Sequence, residues 1–286
     1  MRWFLINMVL IAGLLPAVAF CQTKVEVITK TITDELVYKP GYSLKVEGQA
    51  ADITIRSWDQ KRINVTMKLI AKGLTKEIAE KELAYHKYVI DELNEQYVIR
   101  NYMLLPSSIE KLSTIQEAVI ELMIPRSMNI EVLNSLGKID LANIRGDFTI
   151  DNQYGDVVLT NCVGEVAINN TFGELKLTSI VGVLNADLAH TSTDVSGFSG
   201  KGFLKTNLGD VVWRTPGQID RLRIELEKSD LLLTGASFED YYWQLKTKYG
   251  EILTPKPLTG NKITYGKKGS PIIEINSDFG KISIEE

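Results

Sequence analysis

The chain is poor in the residues that carry most enzyme chemistry. Its 286 residues include only two cysteines, Cys21 and Cys162, and two histidines, His86 and His190. Two cysteines cannot build a framework of disulfide staples, so stability must come from burial and strand pairing. A Ser-His-Asp hydrolase needs a placed histidine, and neither histidine lies in a recognisable nucleophile motif. No cluster of side chains has zinc-ligand spacing. An excess of positive charge is missing too: 32 Lys and Arg stand against 36 Asp and Glu, a formal charge of −4. Phosphate binding needs a basic face, so no nucleic-acid partner is expected. What remains is ordinary for a folded protein, with 44% apolar and 24% charged residues, and argues against disorder.

One apolar run stands at the beginning. Arg2 is the only charge before Trp3 to Phe20, which is interrupted by Asn7, Gly13 and Pro16. A short n-region, an apolar h-region and small residues at Ala17-Val18-Ala19 read as a secretory signal peptide, with cleavage before Phe20 or before Gln22. The apolar stretch is short for a spanning helix, which needs about 20 apolar residues. A retained N-terminal anchor and a lipidated Cys21 are the competing readings, the bulky Phe20 arguing against the second. Residues 1–21 are thus assigned to the signal and 22–286 to the mature chain, with no transmembrane helix expected in it. A lone Cys162 in an oxidising compartment is best kept buried.

The middle of the chain keeps a nine-residue ruler. Glycine falls at Gly137, Gly146, Gly155, Gly164, Gly173 and Gly182, skips Thr191, and resumes at Gly200 and Gly209. Two after the glycine stand Ile139, Phe148, Val157, Val166, Leu175 and Leu184; four after stand Leu141, Ile150, Leu159, Ile168 and Leu177. Apolar residues two apart share one face of a strand. Six after comes an asparagine column, Asn143, Asn152, Asn161 and Asn170, which predicts corners, because asparagine tolerates left-handed backbone. At the seventh position apolar Ile144, Cys162, Ile180 and Phe198 alternate with small or polar residues. The two half-units are therefore not equivalent, and the pattern predicts a coil of about 18 residues made of two nine-residue strand–turn units. Strands this short bury their faces only by stacking. The expected fold is all-β, a single-stranded β-helix or β-solenoid with one short helix near the N-terminal part. On this reading 22–125 forms N-terminal strands and the helix, 126–215 the regular core, and 216–286 irregular C-terminal coils.

Upstream, Ala51, Ile53, Ile55 and Trp58 repeat the ruler's offsets, and Ile63 to Leu69 alternates as a strand. Thr75 to about Lys87 reads as the helix, capped by Thr75, with Ile78, Leu83 and Tyr85 as its core face. Strands are expected near Lys87–Asp91, Gln96–Tyr102 and Ala118–Ile124. Downstream, further coils are expected at Asp230–Leu233, Tyr249–Ile252 and Phe279–Ile284, with Tyr241, Tyr242 and Trp243 available to close the open end.

The run Leu44-Lys45-Val46-Glu47-Gly48, then Ala51-Asp52-Ile53-Thr54-Ile55 and Ser57-Trp58-Asp59, resembles the opening of a bacterial "putative adhesin" family of β-strand-repeat proteins. Ile124-Pro125, Ser135-Leu136-Gly137-Lys138-Ile139, Tyr154-Gly155-Asp156-Val157, Phe172-Gly173-Glu174-Leu175 and Leu208-Gly209-Asp210-Val211 are similar to its repeats. The resemblance covers roughly Tyr42 to Glu286. It implies a β-helical fold, an envelope or surface location, and a Bacteroidota style of signal ending before Gln22.

Candidate sites are few. The acids Asp147, Asp156, Glu165 and Glu174 form a ladder that could hold calcium, as repeat-in-toxin nonapeptides do. Those repeats carry more glycine and a different aspartate offset, so a solvated face is expected here instead. Trp213, Tyr242, Trp243 and Tyr249 could stack on sugar rings, with core or cap packing as the alternative. No catalytic residue, no metal and no cofactor are expected. The expectation is an exported, non-enzymatic protein of the periplasm, outer-membrane surface or extracellular space, with an envelope component, surface glycan or protein as partner. A carbohydrate-binding or carbohydrate-cleaving β-helix is the alternative.

Overall fold

The computed structural model describes residues 25–214 and 217–286; the signal reading and Cys21 fall outside them. The described residues form a parallel β-solenoid with one helix. The N-terminal part holds β1 (Glu26–Val37), β2 (Ser43–Gly48), β3 (Ala51–Trp58), β4 (Arg62–Gly73), α1 (Lys76–Leu83), β5 (His86–Leu93), β6 (Gln96–Met103) and β7 (Ile115–Pro125). The middle holds β8 (Ile130–Leu136), β9 (Ile139–Ala142), β10 (Phe148–Tyr154), β11 (Val157–Ala189, which runs round several corners), β12 (Thr191–Ser196), β13 (Ser199–Asn207) and β14 (Val211–Arg214). The C-terminal part holds β15 (Ile219–Glu227), β16 (Leu231–Thr234), β17 (Tyr242–Leu253), β18 (Lys262–Tyr265) and β19 (Ile272–Glu285).

Two walls face each other across the core. In one, Leu44 pairs with Ile130, Ile130 with Phe148 and Phe148 with Val166, all parallel. In the other, Ile53 pairs with Ile139 and Ile139 with Val157, while Leu175 pairs with Thr193 and Thr193 with Val211. The alternation puts Val157, Leu159, Val166, Ile168, Leu175 and Leu177 inside, each at most 1% exposed, and so fills both walls' inner faces with aliphatics. Burial of this continuous apolar column drives the stacking, since no single short strand could hide its face alone.

The ends depart from simple stacking. Near the N-terminus β2 and β3 lie between β8 and β9 on one side and β6 and β7 on the other. Antiparallel β5 then covers β6, and antiparallel β4 and β1 extend the other wall beyond β7. Near the C-terminus β19 lies between β15 and β16 on one side and β17 on the other, with antiparallel β18 outside. Each end thus places a coil out of chain order. The helix is shorter than its sequence pattern suggests. Thr75 caps it, its hydroxyl accepting from the Ile78 N–H at 3.3 Å, but the buried face is Ala79, Glu82 and Leu83. Ile78 is exposed and Tyr85 half-buried beyond the helix end.

Candidate functional site

The glycine ruler is a steric requirement. Gly155 has φ +132°, and a Cβ there would lie 2.2 Å from the carbonyl oxygen of Gly137; at Gly164 the corresponding oxygen, of Gly146, would be 1.9 Å away. Coils stacked at strand spacing leave no room for a side chain at this corner. The skipped rung solves the same turn differently. Thr191 replaces the glycine, and the residue before it, His190, takes the left-handed conformation at φ +50°.

The acids that follow the glycines have a backbone task. Asp147 Oδ1 accepts from the Glu165 N–H at 3.2 Å, Asp156 Oδ1 from the Glu174 N–H at 3.0 Å, and Asp210 Oδ1 from the Asp230 N–H at 3.0 Å. Asp52 and Asp230 make the same bond to Lys138 and Lys281. Each carboxylate satisfies a donor that the corner leaves out of the strand ladder, one coil further on. Asp is short enough to reach it. Glu165 and Glu174 point to solvent. Among the described residues no group of three or more His, Cys, Asp or Glu side chains is arranged to hold a metal ion.

The asparagine column splits in two. Asn143 and Asn161 adopt φ +62° and +53° at corners. Asn152 and Asn170 are buried inside, where Asn152 Nδ2 donates to Asn170 Oδ1 and to the Gly155 carbonyl, both at 2.9 Å. Asn134 continues this internal spine, donating to the Ala51 carbonyl at 3.0 Å. Asn170 Nδ2 donates to Thr191 Oγ1 at 3.2 Å, so the threonine of the skipped rung terminates the amide ladder with a hydroxyl. Sequence spacing alone gave all four asparagines one role; the alternation at the seventh position was the signal that they differ.

One corner carries an external stack of rings. Tyr154 and Phe172 stack at 5.1 Å with planes 5° apart, and Phe172 and His190 at 4.7 Å and 12°. Tyr249 and Phe279 stack at 4.9 Å near the C-terminal end. These residues are exposed, Tyr249 most of all at 63%. Parallel stacking occupies the ring faces with one another, so most of the column presents edges rather than the open faces that sugar stacking uses. Trp213 and Trp243 are fully buried: Trp213 meets Phe198 edge-on at 5.4 Å, and Trp243 Nε1 donates to the Phe238 carbonyl at 2.9 Å. These two tryptophans are core residues and not surface platforms; Tyr242 is half-buried in the first part of β17.

Cys162 is fully buried with Ile144 and Ile180. Burial pushes its thiol pKa up, opposed by contacts with the Ile144 and Thr160 backbone. His86 is the other buried reactive group. Asn101 Nδ2 donates to the Gln49 carbonyl at 2.7 Å and lies 2.9 Å from His86 Nε2. An amide nitrogen only donates, so Nε2 accepts and the neutral ring carries its proton on Nδ1. Gln116 Nε2 donates to Thr114 Oγ1 at 2.6 Å, and that hydroxyl donates to Glu82 Oε2 at 2.6 Å. The Ser113 and Thr114 N–H groups complete the grip on Glu82. Two buried groups result: Glu82, Thr114 and Gln116 tie α1 to the start of β7, and Asn101 ties β6 to His86 at the start of β5; no solvent-exposed nucleophile takes part in either.

Open concavities line the outside. One, about 720 Å³, lies across β13, β15, β19 and β17 and mixes Lys205, Arg223, Lys246 and Lys248 with Glu225, Glu227 and Asp278. Its charges alternate rather than converge.

The Toastrack DUF4097 family model matches residues 42–285. The chain belongs to the Toastrack family. No curated protein matches it. Among solved structures, it is similar to a "putative adhesin" from Parabacteroides distasonis, with 9% identity, TM-score 0.37, and 90% of this chain and 97% of that chain covered. A "putative adhesin" from Bacteroides fragilis gives 7% identity, TM-score 0.35 and the same coverage. A "putative lipid binding protein" from Parabacteroides distasonis gives 10% identity, TM-score 0.32, and 90% and 96% coverage. In this Toastrack chain no described helix is long and apolar enough to cross a membrane.

Proposed function

We propose that this Toastrack chain is an exported cell-envelope protein with a structural or adhesive role and no catalysis. The observation that carries the reading is the use made of its polar side chains. The aspartates after the glycines accept coil-to-coil backbone bonds, the internal asparagines bond one another, and the exposed rings stack on their neighbours. A surface whose repeated groups hold the scaffold is suited to spacing and display, not to converging on one substrate. Residues 22–286 form one solenoid in this proposal, and its repeating unit is an 18-residue coil of two nine-residue units. The ladder Ile130–Phe148–Val166 supports that unit. The partner would be an envelope component, a surface glycan or a protein. Residues 1–21 direct export, and the acid ladder Asp147, Asp156, Glu165 and Glu174 binds no metal. Protease added to whole cells tests the location: cleavage of the protein on intact cells places it at the surface, protection until the outer membrane is opened places it in the periplasm, and protection inside the cytoplasm overturns the reading.

A further inference from the structure

Solenoids expose their first and last strands, and open strand edges recruit other strands unless they are covered. Here the same wall is open at both ends. At the N-terminal end β1 pairs with β4 along one edge, and no described strand pairs with its other edge. At the C-terminal end β18 covers only Trp243–Lys246 of β17. The second half, Tyr249–Leu253, pairs with Phe279–Ser283 on one side and with no described strand on the other. A concavity of about 460 Å³ separates this free edge from the loop that contains Pro257 and Leu258. Exposed apolar side chains sit at both ends: Tyr249 and Leu253 at one, Val27 and Val37 at the other.

Strand direction fits the two edges to each other. β4 runs antiparallel to β7, and β1 antiparallel to β4, so β1 runs the same way as β7, β3 and the rest of the wall. β17 runs that way as well, through β19, β16 and β14. A second copy placed end-on therefore continues a parallel ladder without turning round.

Charge fits as well. Residues 242–270 hold six lysines and one acid. Of these, Lys246 and Lys262 face each other directly across β17 and β18, a like-charge pair that is unfavourable by itself. Lys246, Lys248, Lys262, Lys267 and Lys268 have no ion-pair partner among the described residues, in contrast to Lys256 with Glu239. The opposite end carries exposed acids. Ion pairs there engage Glu35, Glu80 and Glu92, whereas Asp34, Glu77, Asp91 and Glu95 have none among the described residues.

We infer that the occupant of each end is a second copy of this chain. The free edge of β17 adds to β1 of the next molecule, and lysines around β17 and β18 meet the acids around β1 and β5. Such a contact is heterologous and, unless its rotation closes a ring, it builds a filament.

Sedimentation velocity of the purified protein over a range of concentrations tests this. In low salt a concentration-dependent series of species is expected. At about 1 M sodium chloride, where the screening length is about 3 Å, the series collapses to monomer, a measurement that needs no variant. Reversing one end with Lys248→Glu, Lys262→Glu, Lys267→Glu and Lys268→Glu leaves a monomer, as does reversing the other with Asp34→Lys, Asp91→Lys and Glu95→Lys. Mixing the two variants restores alternating assembly, because each negative C-terminal end now meets a positive N-terminal end. A wild type that stays monomeric in low salt overturns the inference. So do variants that associate as well as wild type, a mixture that stays monomeric although both variants melt normally, or an edge that takes up an unrelated extended peptide in preference to its own copies.

Discussion

The regular middle and the two ends solve different problems with the same strands. In the middle the corners share a small set of local solutions: a glycine where the coils touch, at some corners an aspartate that reaches the next coil's N–H, and an asparagine that either turns or builds the spine. The structure there propagates, because every coil meets a copy of itself. At the ends nothing identical remains to stack on. The chain answers by inserting β2–β3 and β19 out of order, by adding antiparallel strands, and at the N-terminal end by the buried Glu82–Thr114 and Asn101–His86 contacts. Repetition makes the middle tolerant of surface change but intolerant of any Cβ at the corner. The ends depend instead on single, unrepeated contacts.

The strongest test of this contrast sets a middle glycine against a terminal one. Gly164→Ala places a methyl 1.9 Å from the Gly146 carbonyl oxygen at φ +145°, whereas Gly41 has φ +90° and nothing within 4 Å. Urea unfolding should show Gly164→Ala destabilised by about 3 kcal/mol or more, since two coils must separate. Gly41→Ala should cost about 1 kcal/mol, the conformational term alone. Equal losses would show that coil contact is not what the ruler encodes.

How much of this was legible beforehand follows the same division. The nine-residue spacing exposed the coil, its inward aliphatics and the burial of Cys162, because stacked identical environments leave a periodic trace. The sequence also marked Thr191 as an exception, but not that His190 would take over the turn. The acids were readable as outward-facing, but not as acceptors, since a bond to a backbone N–H one coil away leaves no mark beyond the preference for Asp over Glu. At Gly202, where an aliphatic is missing, the space is taken by its ladder partner Leu222 and by the Phe198 ring, 2.9 and 3.4 Å from where its Cβ would be. The order of coils at the ends was not readable, because strand alternation identifies a strand but not its neighbour. Helix periodicity over Thr75–Lys87 selected Ile78 as a core residue, but the helix stops at Leu83 and turns Glu82 inward to meet Ser113 and Thr114.

That glutamate gives the next test, confined to one end. Burial raises the Glu82 pKa, but the Thr114 hydroxyl and the Ser113 and Thr114 N–H groups outweigh it, and the net direction is downward. Burial also lowers the His86 pKa, with Gln116 opposing. Both folded pKa values thus lie below their unfolded ones, so both contributions are complete above the unfolded pKa and fade as pH falls. Loss should begin below about pH 6.5 through His86 and continue below about pH 4.5 through Glu82. Hydrogen exchange followed from pH 7 to 4 should show α1 and β5 losing protection before the middle strands. Glu82→Gln should cost about 1–3 kcal/mol at neutral pH and flatten the lower part of this dependence. Uniform loss of protection along the chain would break the distinction between end and middle.

A smaller effect is expected at Cys162, in the middle. The thiol should resist a thiol reagent in the folded protein and react on denaturation, as its burial and raised pKa require. Cys162→Ala should cost about 1 kcal/mol, because removing one buried atom leaves a small void between apolar neighbours. Rapid labelling of the native protein would mean that the core column opens, and that the middle is less cooperative than its regularity implies.

The smallest expected effect bears on the acid ladder. Asp147 and Asp156 already use Oδ1 on a backbone N–H, while Glu165 and Glu174 extend into solvent. A calcium ion needs six to eight oxygens converging within about 2.6 Å, and a ladder whose inner oxygens are committed along the solenoid axis offers at most scattered ones. A specific site would stabilise the fold by about 2.7 kcal/mol at a hundredfold excess over Kd, a shift of several degrees in Tm. Screening of like charges on neighbouring coils depends only on ionic strength. Calcium chloride and sodium chloride matched in ionic strength should therefore raise Tm by the same small amount. An excess for calcium that disappears in Asp156→Asn with Glu174→Gln would show the outer face to be a metal-ordered surface. The middle would then carry a binding function of its own, and the division between a self-supporting middle and specialised ends would have to be redrawn.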